Sequence, residues 1–77
     1  MSSMEDKNKI NVFAKRLREL RVQEGITQTQ LASKLNIRQQ SYLRYELGTG
    51  EPSLSTLREI ALFFNVSTDY LLGITDY

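Results

Sequence analysis

The chain has 77 residues, 40% apolar and 25% charged, with a formal net charge of +1 and neither cysteine nor histidine. That length supports one compact domain with a modest core and leaves no room for a deep enzyme pocket. The missing residue types exclude disulfides and thiolate metal sites, and remove the usual general base and commonest zinc ligand. No cofactor, metal or small-molecule ligand is therefore expected.

The small net charge conceals a polarised distribution. Residues 1–45 carry nine basic against four acidic side chains, whereas residues 46–77 carry one against five. A basic first half is the electrostatic footprint expected for a polyanion, with the acidic half facing away. The longest apolar run, IALFF at 60–64, is far short of the roughly 20 residues a membrane span needs. The opening MSSMEDKNKI has no apolar run of the kind a signal peptide carries. The cytoplasm is the expected location, with no membrane partner.

In chain order, residues 1–9 are polar and read as a flexible arm. A helical stripe follows at Phe13, Leu17 and Leu20, flanked by Ala14 and Arg21, and predicts a first helix over 10–23 that Gly25 ends. Thr27 and Gln30 have capping-box spacing for a short second helix that buries Leu31, Ala32 and Leu35. Asn36 is a left-handed terminator, and Ile37 an apolar anchor in the turn. A third helix over 38–46 places Tyr42 and Tyr45 inward and Gln39, Gln40, Leu43 and Arg44 on its other side. Gly48, Gly50 and Pro52 mark a loop. Ser53 caps a fourth helix with Leu54, Leu57, Ile60, Ala61 and Phe64 on its buried stripe, and Ser67 caps a short fifth helix with Asp69 in its first turn. The expected domain spans 10–74, with 75–77 as a C-terminal tail. No strand alternation appears, so the fold class is all-α with five helices.

Two short helices joined by a tight turn at Asn36 and Ile37 form a helix-turn-helix pattern. The major groove is about 12 Å wide and admits one α-helix, while the preceding helix braces across the backbone. Residues facing the groove need polar, planar ends. Gln can bond N6 and N7 of adenine, and Arg O6 and N7 of guanine. Gln39 and Gln40 lie in the first turn of the third helix, and Arg44 follows Gln40 by four residues on the same side.

The segments FAKRLRELR (13–21), GITQTQLASKLNI (25–37), SYLRYELG (41–48), PSLSTLREIALFFNV (52–66) and DYLLG (69–73) resemble the Cro/C1-type, or XRE, family of helix-turn-helix regulators, over most of the chain. The resemblance implies a five-helix, lambda-repressor-like DNA-binding domain and no enzymatic activity. It implies base contacts from Gln39, Gln40 and Arg44, with Ser41 between them on a phosphate or thymine methyl. It places Gln28 where the family contacts a phosphate, which suits the free N–H groups of a helix N-terminus, with Thr27 assisting. It also matches Arg21 and Glu46 to an ion pair tying the first helix to the third. Arg21 lies on the apolar side of its helix, where a lone charge is costly, and it is a second candidate for a phosphate.

Each role has a plainer alternative. Gln39 and Gln40 also suit a solvated helix face, and Arg44 also suits pairing with a nearby acid. Tyr42 and Tyr45 read as core, Arg16, Arg18 and Lys34 as solvated surface, and Phe63 and Phe64 as core or dimer surface. The chain also departs from the family pattern. Arg38 stands where many members have a Ser or Thr cap, which forfeits about 1 kcal/mol but leaves a cationic side chain within reach of a phosphate. Leu43 occupies a position that is often polar. The loop Gly48-Thr49-Gly50-Glu51-Pro52 lacks the usual Lys and Arg, so few phosphate contacts and a modest salt dependence are expected.

One such module buries little surface on DNA, so a homodimer on a near-palindromic site is expected, its two third helices about 34 Å apart. Tyr70, Leu72, Ile74 and Tyr77 are the candidate dimer surface, and double-stranded DNA is the expected partner. The competing reading is a protein-interaction module, an antitoxin or adaptor that grips a partner through the fourth and fifth helices or Leu43.

Overall fold

The computed structural model describes the backbone from Ser2 onward and side chains from Val12 onward. Its elements are α1 (Ser2–Glu24), α2 (Gln28–Lys34), α3 (Gln39–Leu47), α4 (Leu54–Phe64) and α5 (Thr68–Leu72), with no strand among the described residues. The expected helix over 10–23 is thus part of a longer one: residues 2–9, read as an arm, continue α1. None of these helices is long and apolar enough to cross a membrane.

α1 packs against α3 and α5, α2 against α3, and α4 against α5. The core they enclose holds Phe13 and Leu17 of α1, Leu31 and Ala32 of α2, Tyr42 of α3, Leu57, Ile60 and Ala61 of α4, and Leu71 of α5. Leu20, Leu35, Ile37, Tyr45 and Phe64 pack around it, half buried. Ile37 does anchor the turn. Leu54 does not join the stripe expected of α4, because it is the first residue of that helix and 85% exposed.

The helix starts follow the sequence signals. Thr27 Oγ1 accepts from the Gln30 amide at 3.0 Å, and Gln30 Oε1 accepts from the Thr27 amide at 2.8 Å, completing the capping box. Ser53 and Ser67 cap α4 and α5 in the simpler way. Arg38 provides no side-chain cap to α3.

All five helices stop by one device. A left-handed residue, at Gly25, Asn36, Gly48, Asn65 and Gly73 in turn, lets the next amide return to the carbonyl five positions back. Ile37 N–H reaches Ala32 O at 3.0 Å, Thr49 reaches Arg44 at 3.0 Å, Val66 reaches Ala61 at 3.0 Å and Ile74 reaches Asp69 at 2.9 Å. This is the Schellman arrangement, and it satisfies carbonyls that a helix end otherwise leaves bare.

Gly73 is the most constrained of the five. Its φ is +79°, and a Cβ there would sit 2.7 Å from Cγ1 of Val12 on α1. Gly73→Ala is expected to cost at least the 1–2 kcal/mol or so of forcing a side chain into left-handed backbone. The urea midpoint checks it, and an unchanged midpoint would mean that the α5 terminator is not packed on α1.

Candidate nucleic-acid interface

Between α2 and α3 lie only residues 35–38, so the two helices form one rigid unit around a half-buried Ile37. Tyr42, fully buried, and half-buried Tyr45 hold the inner side of α3, their rings edge to face at 6.4 Å. At 100° per residue, the exposed positions of α3 fill one continuous arc in the order Gln39, Leu43, Leu47, Gln40, Arg44. Ser41 lies at its margin, half buried. Among the described residues the side chains of Gln39, Gln40, Ser41 and Arg44 form no hydrogen bond or ion pair, so the donors on this arc are free. Leu47, 63% exposed, was not among the sequence candidates, although its spacing of four from Leu43 places it on the same side.

Behind the arc lies a buried polar network. Arg21 donates from Nε to Glu46 Oε2 at 2.6 Å, from Nη2 to Glu46 Oε1 at 3.3 Å and from Nη1 to the Ile26 carbonyl at 2.9 Å. The Tyr42 hydroxyl donates to Glu46 Oε2, and Gln28 Nε2 to Glu46 Oε1 at 3.0 Å. The Arg21 and Glu46 side chains are 14% and 4% exposed. Burial pushes the Glu46 carboxyl up, but hydrogen bonds from Arg21, Tyr42 and Gln28 and the charge of Arg21 outweigh it, leaving it below the ordinary glutamate value. Its hydrogen bond raises Arg21 against the opposing effect of burial. Burial first, and then the bond to Glu46, raise Tyr42, which stays a protonated donor.

This network revises the expected phosphate contacts. Each guanidinium nitrogen of Arg21 makes one hydrogen bond within the fold, which makes it a tie between α1 and α3, and Nη1 and Nη2 each keep a second N–H. Gln28 ties the start of α2 to the end of α3 and keeps one amide hydrogen for an outside acceptor. Thr27 is exposed at the same helix start, and Arg38 is exposed at the start of α3.

Arg16, expected as solvated surface, is instead a tether. Its Nη1 donates to the carbonyls of Tyr70 and of Thr75, the latter at 2.7 Å, its Nη2 lies 3.4 Å from Asp76, and its guanidinium covers the Tyr70 ring at 4.3 Å. Such stacking is a favourable cation–π contact. The tail after α5 is thereby held against α1. Of the candidate dimer residues, Tyr70 is half buried beneath Arg16, while Leu72, Ile74 and Tyr77 are exposed.

A helix-turn-helix family model matches residues 17–71. The chain belongs to the Cro/C1-type (XRE) helix-turn-helix family. Among curated relatives it is 46% identical over 61 residues to the HTH-type transcriptional regulator ImmR of Bacillus subtilis, covering 79% of this chain and 48% of that protein. It is 41% identical to the SPbeta prophage-derived uncharacterized regulator YonR of the same organism, over 79% of this chain and 56% of that one. It is 34% identical to the cryptic phage CTXphi transcriptional repressor RstR of Vibrio cholerae, over 71% of this chain and 50% of the repressor. The chain thus spans about half the length of each of these three relatives. The matched residues 17–71 include α2, α3 and the whole Arg21–Glu46 network.

Proposed function

We propose that this XRE-family domain is the operator-reading part of a cytoplasmic transcriptional repressor that binds double-stranded DNA as a homodimer. α3 enters the major groove, where Gln39, Gln40 and Arg44 read base edges and Ser41 touches a phosphate or a thymine methyl. Leu43 and Leu47, between them on the arc, offer apolar contact to thymine methyl groups. Thr27, Gln28 and Arg38 meet the backbone. Exposed Leu72, Ile74 and Tyr77, with the edge of Tyr70, supply the dimer surface, and occlusion of a promoter supplies repression. The observation that carries this reading is the arc itself: free, planar hydrogen-bonding ends on a helix held rigid from behind by buried Tyr42 and Glu46.

Selection from a random duplex pool tests it. Recovery of a two-fold-symmetric motif with half-sites about one helical turn apart supports dimeric recognition. Gln39→Ala and Arg44→Ala are each expected to relax preference at one base step, at a cost of about 1–3 kcal/mol. If both variants selected the unchanged motif, α3 would not be the reader.

The protein-interaction reading draws on the two exposed leucines of α3 and on exposed Glu51 in the following loop. Salt separates the two. Phosphate binding weakens as salt rises, with a modest slope for the few contacts expected here, whereas an apolar protein contact does not weaken.

A further inference from the structure

The loop after α3 departs from a basic phosphate-contacting segment, and the structure shows what its second glycine does. A Cβ on Gly50 would lie 3.2 Å from Cβ and 3.6 Å from Cδ of Arg44. The backbone at residue 50 therefore runs directly along the aliphatic stem of Arg44, in the space a side chain would occupy. The approach is fixed from both ends. Gly48 and Thr49 return hydrogen bonds to the carbonyls of Tyr45 and Arg44, at 3.4 and 3.0 Å, and Ser53 begins α4 only three residues later. Gly50 is not in the left-handed region, unlike Gly25, Gly48 and Gly73. A side chain there meets no backbone strain, only the Arg44 stem.

We propose that Gly50 is a positioning residue for base recognition, its bare Cα forming the wall that sets the direction in which the Arg44 guanidinium leaves α3. This rests on the assignment of Arg44 as a base reader. The Arg44 Cβ is fixed by its helix and cannot rotate away from a new methyl group. Accommodation must come from the loop, by a few tenths of an ångström, and a displaced loop moves the wall that the Arg44 Cδ passes, 3.6 Å from where the new Cβ would stand. A bidentate contact tolerates little of that, because both N–H groups must meet O6 and N7 together.

The test compares wild type, Gly50→Ala, Gly50→Ser, Arg44→Ala and the double variant Gly50→Ala/Arg44→Ala. The probes are the duplex that wild type selects from a random pool and its derivatives changed at each half-site position. Gly50→Ala and Gly50→Ser are expected to lose about three- to tenfold of the discrimination at the step that Arg44→Ala relaxes. Preference elsewhere in the site, thermal midpoint and affinity for unrelated duplex should stay near wild type. In the Arg44→Ala background the Gly50 change should add nothing at that step, because coupled residues are non-additive. A Gly50 effect spread over all positions, or one that persists once Arg44 is cut back to its Cβ, would overturn the proposal and leave Arg44 as the reader. Loss of thermal stability in both Gly50 variants would show a structural role instead. If Arg44→Ala itself left preference unchanged at every position, both the reader assignment and this inference would fail.

Discussion

Replacing Glu46 with alanine is expected to cost the domain about 3–5 kcal/mol, the penalty for removing one member of a buried ion pair. The side chain is 4% exposed and accepts from three residues on three helices: Arg21 of α1, Gln28 of α2 and Tyr42 of α3. Without it, Arg21 keeps a buried charge with only the Ile26 carbonyl as acceptor, and the Tyr42 hydroxyl loses its partner in the core. For a domain of this size each kcal/mol lowers the thermal midpoint by about 4–8 °C, so the loss is visible in a single melting curve. A loss below about 1 kcal/mol would mean that water or rearrangement replaces the carboxylate readily.

The same network predicts an acid-sensitive contribution. The Glu46 carboxyl in the folded protein lies below its ordinary value, so the unfolded chain takes up the proton first. The stabilisation is complete above the ordinary glutamate pKa of about 4.3 and is lost as pH falls through the depressed folded value. Urea midpoints of wild type and Glu46→Gln should differ most near neutrality and converge toward strong acid. A constant difference across that range would show that the pair does not titrate as a unit.

Leu71→Ala is the second large effect, at about 2–5 kcal/mol for a leucine truncated in a packed core. Leu71 is fully buried, and the other four residues of α5 are only half buried or exposed. A helix of five residues has almost no stability of its own, so this side chain and the Arg16 tether hold it against α1. The loss should therefore extend beyond the cavity. In sedimentation or light scattering the proposed homodimer should also form more weakly in this variant at temperatures where it remains folded, since Tyr70 and Leu72 ride on the same helix. Destabilisation with unaltered dimerisation would move the dimer surface away from α5.

Much of this was legible in the sequence because the signals were local. A left-handed terminator can be read at Gly25, and one with its following apolar anchor at Asn36-Ile37, without knowing the fold, and the capping box needs only Thr27 and Gln30. The polar ends at Gln39, Gln40 and Arg44 follow from the phase that Tyr42 and Tyr45 impose. What escaped depended on distant partners. Nothing local marks Arg16 as the tether of the tail, since its acceptors are carbonyls more than fifty positions away. Leu54 fits the period of α4, yet it precedes the point where that helix meets the core. Gln28 suited an anion at a helix start, but a carboxylate eighteen residues later already takes part of its amide. At the far end of α1, polar composition argued for an arm, whereas residues 2–9 extend the helix.

The helix terminators bear on how such a domain can change its target. Each stop is made from backbone carbonyls and from residues outside the helices, and the starts of α2, α4 and α5 rest on Thr27, Ser53 and Ser67. None of the exposed α3 side chains sets the length or the placement of a helix. Gln39, Gln40 and Arg44 can therefore drift to other letters with little effect on folding. The frame and the proposed reading residues are separate, so divergence in one need not be repaired in the other.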